Sequence, residues 1–151
     1  MAVYAVTSDD TITIGNRALV NFADGDTTKV DIPNDMAEVK TGKNGNGIIS
    51  RNRQGDNANV TLRLIRGSSD DSYLQNLLTA AKNNWTGQKL LTGQFVKMLG
   101  DGNGNTVRDV YDLAGGVFLK QVPGLENVNG ETEQAVAVYE LKFVNVSRSL
   151  Q

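Results

Sequence analysis

Two absences limit the chemistry open to this chain of 151 residues, which contains neither histidine nor cysteine. Imidazole acid–base catalysis, thiolate nucleophiles, disulfides and the Cys/His ligand sets of zinc and iron–sulfur centres are excluded together. What remains is 17 acids, 15 lysines and arginines, and hydroxyl groups. A carboxylate-pair hydrolase is formally available, yet no spacing selects two of the acids as partners. The sequence therefore implies no catalytic residues and no cofactor.

Three local patterns invite a ligand. Thr41-Gly42-Lys43-Asn44-Gly45-Asn46-Gly47 is rich in glycine, but it lacks Gly-Lys-Ser/Thr and the dinucleotide fingerprint. Its glycines and asparagines tolerate positive φ, so an exposed or interface loop is expected. Asp101-Gly102-Asn103-Gly104-Asn105, with Asp109 and Asp112 beyond it, partly imitates a calcium loop. Thr106 stands where the sharp turn needs glycine, and Asp112 is too short for the bidentate glutamate, so a hairpin tip between Leu99 and Val107 is the better reading. Arg51 and Arg53 suggest a phosphate contact, but no aromatics lie between them, and a strand edge or an intersubunit salt bridge is preferred.

The elements that position these residues read mainly as strands. Thr11 to Ile14 and Ala18 to Phe22 are apolar-alternating, and Asp24-Gly25-Asp26 before Thr28 to Ile32 reads as the turn of a β-hairpin. Met36 to Thr41 alternates again, and Val60, Leu62 and Leu64 share one face of a strong strand. A single helix is expected after Ser68, where Ser68 and Asp71 have capping-box spacing and Asp70 and Asp71 suit the positive end of the helix dipole. Tyr73, Leu74, Leu77, Leu78 and Ala81 form its apolar stripe, Asn84 and Gly87 mark its end, and Trp85 is expected to fold back onto the core. Leu90 to Leu99, Val107 to Ala114, Gly116 to Val122 and Ala135 to Val146 follow as strands, the last being the longest.

The whole composition agrees. Apolar residues make up 39% with 16 glycines and 2 prolines, which describes a folded, turn-rich chain of one domain spanning residues 1–151. A net charge of −2 offers no large positive field for gripping nucleic acid. No apolar run is long enough to cross a bilayer, and Met1 to Asp10 carries two acids and no basic n-region, so synthesis in the cytoplasm and no membrane insertion are expected.

Lys40 to Asn52, Gly55, Asn59 to Leu64 and Ser68 to Leu78, taken in order, resemble the glycine-punctuated loop, strand and Ser/Asp-capped helix of the bacteriophage tail tube family. The resemblance is nearest to tubes of contractile tails and more distant to the tube protein of type VI secretion. It implies a mainly β fold, a β-sandwich or split barrel with one flanking α-helix. It further implies six copies per ring, with inner strands joined in a continuous β-barrel, and rings stacked into a tube that conducts phage DNA into the host. Sheath, tape-measure and baseplate proteins are the implied partners, DNA passes without specific binding, and the implied location is the virion. Closing sheets around a ring also removes edges that would otherwise aggregate.

Within that frame, ring-stacking contacts are expected from Thr41 to Gln54 and Asn145 to Gln151, with Lys43, Asn44, Arg51, Arg53 and Arg148 as the residues. Asp109 and Asp112 are the expected lumen-facing acids, which would repel phosphates and let DNA slide. Two other readings stand beside the tube. A ring-forming tail terminator shares the architecture, and a monomeric β-sandwich carbohydrate-binding module would need more exposed aromatics than 6% provides.

Overall fold

The computed structural model describes residues 3–7, 10–126 and 128–151. Strands β1 (Ala5–Val6), β2 (Thr11–Ile14), β3 (Arg17–Leu19), β4 (Thr28–Asp31), β5 (Ala37–Thr41), β6 (Gly47–Arg51) and β7 (Ala58–Ile65) precede helix α1 (Ser69–Asn83). Strands β8 (Leu91–Gly100), β9 (Thr106–Phe118) and β10 (Val136–Leu150) follow it. Eight strands form one antiparallel sheet in the order β3-β2-β8-β9-β10-β7-β4, with β1 added to β8, while β5 and β6 form a separate hairpin. The fold is mainly β with one helix, and the large sheet curls strongly into a half-barrel.

The core lies inside the curl. Alternation in β7 buries Ala58, Val60, Leu62 and Leu64 completely, and their partners across the ladder, Phe143, Leu141, Tyr139 and Ala137, are equally buried. Helix α1 packs against this surface through Leu74 and Leu78, each side chain contributing about 1.5–3 kcal/mol by leaving water. Ser68 caps the helix by accepting from the Asp71 N–H at 3.3 Å, and Asp71 Oδ2 accepts from the Gly67 N–H at 2.8 Å. The Tyr139 hydroxyl donates to Asp71 Oδ1, and burial together with that carboxylate raises the phenol well above its ordinary range.

Asp24-Gly25-Asp26 does not turn a hairpin. The tight reversal occurs instead at Gly15-Asn16, between β2 and β3, and β4 pairs with β7 on the opposite side of the sheet. Phe22 bridges Leu64, the Ala23 N–H donates to Arg63 O, and the Ile65 N–H donates to Asn21 O. The chain after β3 therefore crosses directly to the edge of β7, and residues 24–26 are an excursion between two stretches that pair with the same strand. This crossing connects the two ends of the sheet order.

The stretches expected as separate strands on either side of Gly115 are one strand, β9. Gly115 has φ +70°, a left-handed conformation open to glycine, opposite Val144 in β10. Core-facing positions run Asp109, Tyr111 and Leu113 before this point, and Gly116 and Phe118 after it. In β10 they run Tyr139, Leu141 and Phe143, then Val146 and Arg148. Both strands thus exchange faces together at one paired irregularity, keeping their register while reversing the parity that alternation alone would give.

Candidate assembly surfaces

The nominated contacts fall into two groups. Lys43 and Asn44 occupy the turn of the β5–β6 hairpin, Arg51 ends β6, and Arg53 opens the short 3-10 turn at its base. Arg148 lies apart from them in β10.

Every residue of β5 and β6 is exposed on both faces, including Val39, Ile48 and Ile49 at 66%, 68% and 76%. A lone two-stranded hairpin is marginal in water. Its base is nevertheless anchored: the Asn52 N–H donates to Met36 O, and Gly55 lies so close to Met36 that a Cβ there would be 2.4 Å from its Cα. Arg51 pairs with Asp56 in the same chain at 3.4 Å, so it is held within the subunit, while Arg53 makes no ion pair among the described residues.

Asp109 and Asp112 do not act as a pair. They are three positions apart in one strand and point to opposite faces. Asp109 is buried on the core side, where Arg148 donates to it through Nε at 2.8 Å and Nη2 at 3.1 Å. That carboxylate, and then Tyr111, raises the Arg148 guanidinium above its ordinary range. Asp112 lies on the outer face, accepting from Gln94 Nε2 at 3.1 Å. The cross-strand row Thr13, Gln94, Asp112, Ser147 and the row Thr11, Val96, Val110, Ser149 make this outer face largely polar, with Val96 and Val110 buried between. Asp112→Lys is expected to leave stability unchanged within about 0.5 kcal/mol. Asp109→Lys instead places a third cation beside Arg148 and Lys97 and lowers the denaturant midpoint clearly. A charge test of the outer face by urea unfolding and assembly assays belongs to Asp112 alone.

Three features escaped the reading of residues. Beyond Phe143, where β7 stops pairing with it, β10 has the short 3-10 turn of Arg53–Asp56 packed beside it and no backbone partner on that side among the described residues, and the mutual Arg108–Gln151 backbone bonds set the phase of the β9 ladder. The N–H and C=O groups of Val146, Arg148 and Leu150 accordingly point away from β9, a template for strand addition. Trp85 does not fold onto the core; it is 62% exposed and borders a groove with Leu78, Ala81, Phe118 and Leu119. Asp70, expected as a capping acid, is wholly buried and binds the β3 crossing segment.

No family model matches this chain, and no curated protein matches it. Solved structures do. A chain of the PVC sheath–tube complex of an extracellular contractile injection system, in the extended state, superposes with TM-score 0.59 at 13% identity, over 94% of this chain and 87% of that one. The tube-terminating cap of the anti-feeding prophage gives TM-score 0.62 at 12% identity, over 99% and 93%. The PVC sheath/tube terminator gives 0.57 at 14%, over 99% and 98%. These agree with the resemblance to contractile-tail tubes, and across nearly its whole length the chain has the fold of contractile injection system components.

Proposed function

We propose that this chain is a structural subunit of a contractile tail-like particle and not an enzyme, with copies closing into hexameric rings that stack as the tube conducting DNA. The observation that carries this reading is the whole-length likeness to tube, cap and terminator structures. Two surfaces support it. The edge of β10 beyond Phe143 offers unpaired backbone to a neighbouring copy, and the largely polar outer face of β2, β8, β9 and β10 suits a water-filled wall. On that wall Asp112 repels phosphate, and sheath, tape-measure and baseplate proteins are the outer and terminal partners. Residues 1–151 act as one domain, made in the cytoplasm of the host and carried in the virion.

A cap or terminator is the second reading, favoured by the two matches that cover 99% of the chain. Negative-stain electron microscopy across concentration and salt separates them. Hollow tubes of growing length are expected for the tube subunit, and rings that never stack identify a terminator. Monomers under all conditions sink both, and return weight to a carbohydrate-binding module.

A further inference from the structure

Four asparagines precede a glycine, in Asn44-Gly45, Asn46-Gly47, Asn103-Gly104 and Asn129-Gly130. Such a dipeptide carries its own electrophile and nucleophile. The glycine nitrogen, unshielded by a Cβ, attacks the asparagine Cγ; an N–Cγ bond forms, the Cγ–Nδ2 bond breaks, and the glycine N–H proton leaves with the amide nitrogen as ammonia. Water then opens the cyclic imide at either carbonyl, which yields aspartate or, with one methylene added to the main chain, isoaspartate. The ring closes only when the peptide joining the two residues is free to rotate and its N–H is not held elsewhere.

Hydrogen bonding separates the four. The Gly45 N–H donates to Gly42 O at 3.1 Å, and Asn46 O accepts from the Gly42 N–H at 2.6 Å, so each pair in the β5–β6 turn has a backbone bond to break before it can rotate. Asn129 has a partner of its own. At the β8–β9 tip, neither the Gly104 N–H, the Asn103 C=O nor the Asn103 carboxamide is hydrogen-bonded among the described residues. Asp101 Oδ1 instead gathers the N–H groups of Asn103 at 2.8 Å and Asn105 at 3.1 Å, fixing the flanks of the tip and leaving the peptide between Asn103 and Gly104 untethered. Both residues are exposed, and beyond the chain neighbours no atom lies within 4 Å of where a Gly104 Cβ would stand. We propose that Asn103 is a site of spontaneous deamidation, the first of the four Asn-Gly pairs to convert. The new carboxylate lands two residues from Asp101 and adds one negative charge to a chain of net −2, at a tip that contributes nothing to the core.

The test uses the full chain without substitution and does not depend on whether it forms tubes. Folded protein is held at mildly alkaline pH beside the same protein unfolded in guanidinium chloride. Peptide mapping by tandem mass spectrometry reads the gain of one mass unit at each asparagine, and isoaspartyl methyltransferase labelling reads the isoaspartate. In the folded chain Asn103 is expected to convert at least about fivefold faster than Asn44 and Asn46, each of which must first break a backbone hydrogen bond. Once unfolded, the four pairs converge, because the dipeptide alone then sets the rate. Asn103→Asp supplies the anion-exchange standard for the acidic species, and Asn103→Gln removes the one that forms first. Any other pair keeping pace with Asn103 in the folded chain, or an unchanged ranking after unfolding, overturns the assignment.

Discussion

Asp70→Ala lowers the stability of the monomer by about 1–3 kcal/mol for each backbone donor it leaves without an acceptor. Asp70 is 0% exposed, and its carboxylate receives three donors from the crossing segment: Arg17 Nε at 2.7 Å on Oδ1, with the Val20 and Asn21 N–H groups at 2.6 and 2.8 Å on Oδ2. The two backbone donors lose their acceptors on truncation, and the chain between β3 and Phe22 loses its tie to α1. The opposite truncation, Arg17→Ala, costs less, about 0.5–1.5 kcal/mol, because the Val20 and Asn21 N–H groups still hold the buried carboxylate and the arginine side chain is 40% exposed. Equal losses in the two variants by urea unfolding would refute the assignment of the buried term to Asp70.

The same site makes a pH statement. Burial pushes the Asp70 carboxyl upward, but the Asn21 and Val20 N–H groups and Arg17 outweigh it and hold the group below the ordinary carboxylate range. Stability from Asp70 is therefore fully present above the unfolded value of about 3.9 and is lost as pH falls through the lower folded value. Between pH 7 and 5 the gap between wild type and Asp70→Ala stays constant; below about pH 4 it narrows.

Local alternation was enough to read β7 and the first half of β10, because one face of each is continuously apolar and the other is not. The cap at Ser68 and the hairpin tip at Asp101 were legible for a similar reason: each is decided by residues within five positions, and Asp101 accepts from the N–H groups of Asn103 and Asn105. Decisions made by distant partners were not legible. Asp24-Gly25-Asp26 carries every local mark of a reversal, yet the hydrogen-bonding edge of β7 captures both flanks, and Arg63 holds the excursion through Asp24 O while forking onto both oxygens of Glu133. At Gly115 and Val144 the parity of two strands changes at once, and no period-two count of either strand alone contains that event. Asp70 had a sufficient local explanation as a helix-start acid, which concealed its long-range one. The exposed loop at Thr41 to Gly47 was legible from its glycines and asparagines, and it is the turn of the β5–β6 hairpin. Asp109 and Asp112 do not share a face, because their odd spacing in β9 already divides them.

Replacing residues 38–50 with a short Gly-Ser link is expected to abolish tube formation while leaving the monomer folded. None of the residues removed belongs to the hydrophobic core, and all of β5 and β6 is exposed, so the melting temperature of the isolated subunit should shift by no more than about 2 °C. Met36, Asn52 and Gly55 remain to hold the ends of the link together. The consequence for assembly is far larger than for folding, because a heterologous contact is used once per added copy and its loss is multiplied along the tube. Circular dichroism melts, sedimentation velocity and negative-stain microscopy on one preparation separate the possibilities. Tubes of normal length from the shortened chain would mean that axial contacts lie elsewhere, with the β10 edge and the C-terminal residues the next surface to remove. A collapsed melting transition would mean that the hairpin stabilises its own subunit, against its complete exposure. The remaining result, a subunit that melts normally and closes rings but does not stack them, assigns lateral closure to the sheet edge and axial growth to the hairpin.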